Sequence, residues 1–527
     1  MRRLSMLVSA VFGMGMLVVL SPLSCGGTGG SHYSVDGGGS SGHGGFGSGG
    51  TGGISLTDSG HGGSGGSGGT SGSGVACPPG LMCNVSCSGG MTTTVTGTVY
   101  DPALRNPLYN ISVYVPAVPL TPLPKGVPTG KDACSCGALF ASGAVVNTTT
   151  AVDGTFTLSN VPVGSNVPLV IQIGKWRKQI LINVKACQPN LQMDKSLALP
   201  NAVAPGDTNT NMPDIAVSTG GADTLECLMT RIGLPQTEYV AGTGTSGHVH
   251  VFSGGSLTGG IFKQVGKPES PPMAGAPPSW SDLWSSQTQL MPYDIVLLSC
   301  EGGETYKANP PALEAYLNVG GRAFGSHYHY AWFAGPIGSG QAYSAPADWG
   351  KNLANWSANG NSGSGAIGGT IDTTLNGSGK PFPKGIALEQ WLGPTVLNVL
   401  GKGGVPSTDL SIYSPRYNAV VTAADTPSQP WITADPSSGM SGSTMYFSFD
   451  TPVGSSAVCG RAVFSDLHVA GDPSTMDNPP PPGGCTPGPL SPQEKALEFM
   501  LFDLSSCVIP DSQPPPDADA ALPPPPK

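Results

Sequence analysis

The sequence predicts a multidomain protein, in which an all-β sandwich and then a three-layer α/β domain lie between a disordered tether and a disordered tail. Three observations support this prediction. Glycine and proline account for 79 and 52 of the 527 residues and are concentrated in particular segments. Within residues 92–200, apolar and polar residues alternate in short segments, as expected for half-buried strands. From residue 212, short apolar strands alternate with helical patterns, which is typical of a parallel sheet.

Residues 1–25 have the features of a signal peptide. A pair of arginines precedes the apolar run Leu7–Leu20, which is short for a membrane-spanning helix. Ser24-Cys25-Gly26 follows and resembles the lipobox of bacterial lipoproteins, although Pro22 departs from the usual pattern. The resemblance implies that Cys25 is lipidated and anchors the protein in the cell envelope, at the outer membrane or the cell surface. Ordinary secretion with a free Cys25 is the alternative.

Low-complexity segments predict disorder at both ends of the mature chain. Residues 26–76 consist mainly of Gly, Ser and Thr without Lys or Arg, and cannot bury enough apolar surface to offset the entropy of ordering. Residues 77–91 form a Cys-rich connector, and residues 509–527 a Pro-rich tail. The formal net charge is −10, and the chain has no Lys/Arg cluster beyond Lys175–Lys178, so nucleic acid is not an expected partner.

Eleven cysteines remain after Cys25, and export predicts that most of them form disulfides. Cys300 follows the apolar run Ile295–Leu298 and is expected to be a buried free thiol. Zinc binding by the closely spaced cysteines near 83–87 and 134–136 is a less favoured alternative outside the cytosol. The cysteines fall into an even group and an odd group along the chain: Cys77, Cys83, Cys87, Cys134, Cys136 and Cys187, then Cys227, Cys300, Cys459, Cys485 and Cys507.

Residues 92–200 carry three motifs in a run of strand-like segments, Val95–Asp101, Asp153–Phe156 and Val161–Gly164. Together they resemble the carboxypeptidase regulatory-like domain. The resemblance implies a small transthyretin-like β-sandwich that accompanies other domains and has no catalytic residues of its own. A Pro-rich insertion near 116–146 departs from the family pattern. The predicted strands are Thr92–Val99, Ile111–Val115, Thr155–Ser159, Pro168–Ile173 and Gln179–Val184.

Residues 212–508 begin with a strand at Asp214–Ser218 and a helix for which Asp223 and Glu226 predict a capping box. Asn309 and Ser491 are predicted to cap later helices. Residues 334–384 are Gly/Ser-rich and are predicted to be a long loop. Further helices are expected at 281–290 and 385–400, and the last strand at Arg461–Val469.

A glycine-rich segment, residues 242–247, matches the dinucleotide-binding pattern by its letters. The segment that follows, His248–Phe252, alternates like a strand and does not open a helix. Without a helix N-terminus there is no row of free N–H groups to hold a pyrophosphate, so we reject nucleotide binding. His248 and His250 are predicted to be strand residues on an exposed face.

The segment Gly320–Trp332 is predicted to be a strand that ends in a His-rich turn at the carboxyl edge of the sheet, where ligands bind in open α/β folds. Gly325–His329 corresponds in position to the Gly-x-Cys-x-Gly turn of class I glutamine amidotransferases, with His327 in place of the nucleophilic Cys and His329 in place of the second Gly. A His in that position resembles the trehalose-utilisation (ThuA-like) branch of this fold. The resemblance also includes Tyr293–Leu298 and Gly460–Phe464, and implies a flavodoxin-like domain over residues 212–508.

The candidate site residues lie where predicted parallel strands end. His327, His468, Glu301 and Asp466 are the candidates for catalysis, with a carboxylate orienting a histidine for acid–base work. His327, His329 and His468 are alternatively candidate ligands of a divalent metal such as zinc or iron. A third interpretation is that these polar side chains satisfy one another in a degenerate pocket. Ser326 is a weak candidate nucleophile, because the turn aims residue 327 at the substrate.

Two functions follow from these features. The first is a surface binding or scaffolding protein that recognises a glycan or protein ligand and has lost amidotransferase chemistry. The second, implied by the ThuA-like resemblance, is a carbohydrate-active hydrolase or isomerase that uses His327 and His468 with a carboxylate. No cofactor is expected beyond the divalent metal, and the membrane is an expected partner through Cys25.

Overall fold

A computed structural model describes residues 77–514, apart from 131–132, 135–136, 194, 256–260, 263–276, 359, 361–365, 394–395, 400–409, 439, 441 and 470–487. All described residues belong to the second of the two units of the chain, Gly72–Lys527. The predicted signal peptide, Cys25 and the tether lie outside the described residues, as does most of the predicted tail. The second unit consists largely of β-sheet, in several sheets, with a few helices.

The first part of the second unit contains two sheets. One has the strand order β4-β1-β7 and the other the order β3-β2-β5-β6-β8. The inward-facing residues of both sheets, such as Val95 and Leu169, contribute to a single hydrophobic cluster. The strands are β1 (Thr94–Thr98), β2 (Ser112–Pro116), β3 (Ala144–Thr149), β4 (Thr155–Ser159), β5 (Gly164–Ile173), β6 (Trp176–Val184), β7 (Pro189–Leu191) and β8 (Thr210–Asn211).

The second part is organised around a sheet of eleven strands. Its main path is β10-β11-β9-β13-β14-β21-β20-β19-β16-β17, and β12 pairs with β11. The strands from β10 to β21 along this path are parallel, and those from β21 to β17 are antiparallel. A separate pair joins β15 to β18. These strands are β9 (Ile215–Thr219), β10 (Tyr239–Ala241), β11 (Val249–Gly255), β12 (Ile261–Phe262), β13 (Ile295–Leu298), β14 (Arg322–Ser326), β15 (Asn355–Trp356), β16 (Ile367–Ile371), β17 (Leu410–Ile412), β18 (Ala419–Val420), β19 (Ser428–Ala434), β20 (Thr444–Thr451) and β21 (Gly460–Ser465).

Two of the helices begin at a capping residue. Asn309 accepts a hydrogen bond from Ala312 N at the start of α4, and Ser491 forms a capping box with Glu494 at the start of α7, so both predicted caps are confirmed. The helices are α1 (Leu225–Arg231), α2 (Ser281–Trp284), α3 (Gln287–Leu290), α4 (Pro310–Leu317), α5 (Tyr330–Ala334), α6 (Pro383–Leu392) and α7 (Pro492–Ser505), with short 3₁₀ turns at Ser88–Gly90, Gly137–Phe140, Gln236–Glu238, His327–His329 and Gly350–Asn352.

The parallel sheet is buried on both faces. Along β9, Ile215 and Val217 face one hydrophobic cluster and Ala216 faces another, which is the two-residue alternation of a strand. Residues of α1, α6 and α7 belong to the first cluster together with the two N-terminal sheets. Residues of α2 to α5 belong to the second. The sheet therefore has helices on both sides, and its carboxyl edge is available for a site.

The two parts of the unit are joined through a shared core and several polar contacts. Phe499 on α7 stacks on Tyr109, and Phe502 packs edge-on against Trp176. Lys175 forms an ion pair with Asp294 across the same junction. The core that the N-terminal sheets bury thus continues directly into the core beneath the parallel sheet.

Several sequence-based predictions differ from the structure. The N-cap of α1 is Thr224 rather than Asp223, because Asp223 instead accepts hydrogen bonds from the backbone N–H groups of Thr224 and Val469. His250 is buried and not on an exposed face, with Nδ1 2.8 Å from the Gly242 carbonyl oxygen. Strand β3 begins within the predicted insertion near 116–146, and β15 and β16 lie in the predicted loop 334–384. Short, glycine-rich or weakly alternating strands gave no clear pattern there.

Disulfides connect cysteines that the sequence placed in separate groups. Cys77–Cys83 and Cys87–Cys187 stay within the first group, but Cys134 pairs with Cys459 of the second. Cys227 and Cys507 are also disulfide-bonded. Cys300 is a buried free cysteine, as predicted.

Candidate functional site

A sharp turn follows β14 and places His327 at the carboxyl edge of the parallel sheet. His327 has a φ of 47°, in the left-handed region that side chains with a Cβ rarely adopt. The 3₁₀ turn His327–His329 then leads directly into α5. A single strained residue therefore reverses the chain between strand and helix, and such strain concentrates at functional sites.

Gly325 makes this turn sterically feasible. A Cβ at this position would lie 2.9 Å from Phe333 Cε2 and 3.2 Å from the Cβ of His329. The side chains that return from the turn and from α5 occupy the space that any larger residue would need. The spacing of Gly325 two residues before His327 is thus a packing requirement of the turn.

Cys300, His327 and His468 converge at the ends of three neighbouring parallel strands. Cys300 comes after β13, His327 after β14 and His468 after β21. His327 Nδ1 lies 3.3 Å from Cys300 Sγ, and the rings of His327 and His468 are 5.2 Å apart between centroids. One ligand-type atom from each residue lies within 4.8 Å of the others, and all three side chains are buried.

Sequence reasoning identified the burial of Cys300 but not its place beside His327. The available signal was positional, because Cys300 and His327 both directly follow strands that are adjacent in the sheet. Ser326 holds these two strand ends together, since its hydroxyl accepts a hydrogen bond from the backbone N–H of Cys300 at 2.9 Å. The Ser326 hydroxyl is therefore hydrogen-bonded to the backbone that follows β13.

Glu301 and His329 form a second group, next to the first. Glu301 Oε2 lies 3.4 Å from His329 Nε2 and accepts a hydrogen bond from Thr305 Oγ1 at 2.9 Å. His329 Nδ1 lies 3.2 Å from the backbone oxygen of Ser326. The structure thus brings together His327 and His468 of the predicted metal ligands, while His329 faces Glu301 instead.

A backbone hydrogen bond from the residue before β18 holds the Asp466 side chain in place. Its Oδ2 accepts a hydrogen bond from the backbone N–H of Asn418 at 2.7 Å, and its Oδ1 has no hydrogen-bond partner among the described residues. Burial raises the pKa of Asp466 to about 8. Since this value lies above neutral pH, the carboxyl group is largely protonated there.

The two histidines of the first cluster are uncharged near neutral pH. Burial, with a smaller contribution from the positive charge of Arg416, lowers the pKa of His468 to about 3. Burial, with smaller contributions from His468 and Arg416, holds the pKa of His327 well below its usual value. In the described structure, neither nitrogen of His468 has a hydrogen-bond partner, and neither does His327 Nε2.

Two further carboxyl groups lie buried beneath the site, on the loop after β9 and on α1. Asp223 joins this loop to the segment after β21, because its Oδ1 accepts from Val469 N at 2.9 Å. Burial raises the pKa of Asp223 to about 6. Burial raises the pKa of Glu226 to about 8, and the neighbouring Asp223 adds to the effect. The sequence placed both residues in a helix cap, which concealed their position under the site.

The candidate side chains are closed off from solvent. His327 is 2% exposed, and Cys300, Glu301, His329, Asp466 and His468 are 0% exposed. A cavity of about 100 Å³ lies elsewhere, lined by Lys175, Asp294 and Arg322 among others. The arrangement thus offers two neutral imidazoles, a protonated thiol and the protonated carboxyl group of Asp466, all buried, so a large substrate does not reach them.

No protein-family model matches this chain, and no curated protein matches it either. Within the described residues, no helix is both long enough and apolar enough to cross a membrane.

Proposed function

We propose that this protein is an exported lipoprotein of the cell envelope that acts as a surface binding or scaffolding protein for a glycan or protein ligand. In this proposal Cys25 carries the lipid anchor and residues 26–76 form the tether. Residues 92–200 form a transthyretin-like, carboxypeptidase regulatory-like sandwich. Residues 212–508 form a flavodoxin-like domain related to the amidotransferases but without their nucleophile.

One observation carries the non-catalytic part of the proposal. The six polar side chains at the turn after β14 and around it are at most 2% exposed, so a substrate the size of a sugar has no contact with them. A catalytic acid or base must come within hydrogen-bond reach of the proton that it transfers. The polar groups in this region support the packing of the strand ends.

Thiol chemistry of the amidotransferase kind also lacks support. His327 occupies the position of the nucleophile in the turn. Cys300 lies beside it, but burial raises the pKa of its thiol to about 12. A thiol attacks as the thiolate, so a buried, protonated Cys300 is a poor nucleophile.

A carbohydrate-active hydrolase or isomerase of ThuA-like type is the second candidate. The left-handed backbone of His327, with φ at 47°, favours it, because strained turns of this kind present reactive side chains in enzymes. In this alternative His327 and His468 act with Glu301 or Asp466 after the site opens.

Turnover assays on the wild-type chain and on His327→Ala distinguish the two candidates. The binding function predicts no turnover of a panel of chromogenic glycosides by wild type, and a lower melting temperature for His327→Ala. Wild-type turnover that His327→Ala abolishes, at an unchanged melting temperature, would establish the enzyme and overturn the binding proposal.

The anchor has a separate test. Cells expressing wild type or Cys25→Ser are grown with a clickable palmitate analogue. Label on wild type but not on Cys25→Ser supports the anchor at Cys25, whereas an unlabelled wild-type protein eliminates it.

A further inference from the structure

The cluster of Cys300, His327 and His468 contains the donor atoms of a metal site. Each residue offers one ligand-type atom, these atoms lie within 4.8 Å of one another, and all three side chains are buried. Three neighbouring parallel strands position them, so the cluster is part of the sheet framework. Zinc in proteins is bound by Cys sulfur and His nitrogen, and this cluster supplies one sulfur and two imidazoles.

The unpaired nitrogens of the two histidines provide a second, independent observation. Both ring nitrogens of His468 and Nε2 of His327 are buried without a hydrogen-bond partner among the described residues. A buried polar atom without a partner destabilises the folded state. A metal ion that accepts a lone pair from one ring nitrogen of His468 would remove part of that penalty, with His327 coordinating through Nδ1.

We propose that Cys300, His327 and His468 bind a thiolate-preferring transition-metal ion, for which Zn²⁺ is the best candidate. The S,N,N donor set is softer than the oxygen-rich sites preferred by magnesium or calcium. Binding forms a metal–sulfur bond as the Cys300 thiol releases its proton to solvent, and each imidazole donates a lone pair without losing a proton. Three protein ligands leave a fourth coordination position for water or another small ligand.

The geometry requires only a small adjustment of the three side chains. Donor atoms around a tetrahedral zinc ion are about 3.5 Å apart, given bond lengths of about 2.0–2.3 Å. Cys300 Sγ and His327 Nδ1 already lie 3.3 Å apart. His468, whose ring nitrogens have no described hydrogen-bond partner, is the side chain whose rotation closes the set.

The neighbouring polar residues are engaged elsewhere. His329 Nδ1 lies near the Ser326 carbonyl oxygen, and its Nε2 faces Glu301. Glu301 also accepts a hydrogen bond from Thr305. The proposed site therefore replaces His329 by Cys300 in the ligand set suggested by the sequence. Metal binding here goes beyond the proposed binding function and does not depend on it.

Metal content of the exported chain tests the proposal. A Cys25→Ser chain, which avoids the lipid, is stripped with a chelator, incubated with Zn²⁺ or Co²⁺, and desalted. We expect about one equivalent of metal, and for Co²⁺ a thiolate-to-metal charge-transfer band in the near ultraviolet. Adding Cys300→Ser should remove the band, and His468→Gln should lower the bound metal to less than about a tenth of an equivalent.

His250→Gln is the matched control. His250 is also a buried histidine of the parallel sheet, but it contacts Gly242 and Asp214 rather than the cluster. This variant should retain the metal and the band. Circular dichroism establishes that each variant is folded.

Alkylation of Cys300 in the wild-type chain provides a test that remains valid if the variants do not fold. In a urea concentration at which the metal-free chain opens, Zn²⁺ should slow iodoacetamide modification of the Cys300 peptide, measured by mass spectrometry, at least tenfold. A folded chain that binds less than a tenth of an equivalent of either ion would overturn the proposal. So would metal binding that leaves Cys300 alkylation unchanged, or a charge-transfer band that persists in a folded Cys300→Ser chain.

Discussion

His327 combines a strained backbone with a buried, uncharged ring. The strain lies in the backbone, whose φ is 47°. The ring stabilises the turn through its contacts with Cys300 and His468. These two contributions can be separated by substitution. Removing the ring eliminates its contacts in any variant, but only glycine also relieves the left-handed conformation.

Comparing His327→Gly with His327→Ala measures the strain directly. Both variants remove the imidazole, so the lost contacts largely cancel. Because alanine retains a Cβ at a positive φ, we expect the glycine variant to have a free energy of unfolding about 1 kcal/mol higher than the alanine variant. Urea unfolding at constant temperature checks this. If alanine were equal to glycine or more stable, residue 327 would not have a left-handed backbone in solution.

Glu226 predicts a dependence of stability on pH. Its pKa is about 8 in the folded chain, against an ordinary value of 4.5, because burial disfavours the carboxylate. A raised carboxyl pKa favours the folded state most fully below about pH 4.5, and this contribution is lost as the pH rises towards 8. Glu226→Gln should therefore be more stable than wild type at pH 8, by about 1–3 kcal/mol, with little difference at pH 4.5.

Urea unfolding at the two pH values tests the prediction for Glu226. Asp223 lies close by and repels a charged Glu226, so the difference between the variant and wild type reports Glu226 together with its coupling to Asp223. Glu389→Gln, on the half-buried side of α6, is the control for the change from glutamate to glutamine. An equal loss of stability towards pH 8 in Glu226→Gln and wild type would contradict the assignment.

Individual helices illustrate how local sequence signals become structure. Helix α7 begins with a reciprocal pair of hydrogen bonds, in which Ser491 Oγ accepts from Glu494 N and Glu494 Oε2 accepts from Ser491 N. This helix also carries Phe499 and Phe502 into the junction between the two parts of the chain. The cap therefore fixes the start of a helix that packs against both parts of the chain.

Ser491→Ala removes one half of this capping box. We expect a loss of about 1 kcal/mol in the free energy of unfolding, since the backbone N–H of Glu494 loses its acceptor. Ser505→Ala, near the other end of α7, removes only a hydroxyl that donates to a carbonyl of its own helix, and should change stability by a few tenths of a kcal/mol. Thermal or urea unfolding compares them. A Ser505→Ala loss as large as that of Ser491→Ala would show that the cap has no special role.

The strongest local signals were sufficient to predict some elements. Capping at Asn309 and Ser491 and the apolar run at β13 were predictable, because neighbouring residues determine them. Strand β16 was not, because two of its five residues are glycines that pack against Ile412 and Asp435 only in the folded sheet.

Some features of the candidate site were likewise predictable from the local sequence, and others were not. The turn at His327 and the strand ends at Glu301, Asp466 and His468 were predictable from the ends of apolar runs. The proximity of Cys300 to His327 depends on the order of β13, β14 and β21 in the sheet. Strand order is a long-range property, and spacing along one sequence does not contain it.

At the scale of the whole molecule, the N-terminal sheets and the parallel sheet share one hydrophobic core. Polar contacts reinforce the junction, because Asn106 donates to Glu498 at 2.6 Å and Trp391 donates to the Pro107 carbonyl oxygen at 2.7 Å. These groups are buried, so separating the two parts would leave them without partners. We therefore expect the described parts of the chain to unfold together.

The Cys134–Cys459 disulfide is the covalent counterpart of this junction. It connects residues 325 positions apart, from the segment before β3 to the residue before β21. A cross-link between distant positions restricts the unfolded chain far more than one between near neighbours. We expect the double variant Cys134→Ser/Cys459→Ser to lose about 2–4 kcal/mol of unfolding free energy while keeping its fold.

Cys77→Ser/Cys83→Ser is the matched control, because that disulfide spans a separation of only 6 residues. Removing it should have a smaller effect, since the entropy of closing a short loop is lower. Urea unfolding under non-reducing conditions, followed by tryptophan fluorescence and by circular dichroism, measures both losses. The two probes should give a single coincident transition in each variant, because the shared core remains. Separate transitions in Cys134→Ser/Cys459→Ser would show instead that the disulfide, and not the packing of α7, holds the two parts together.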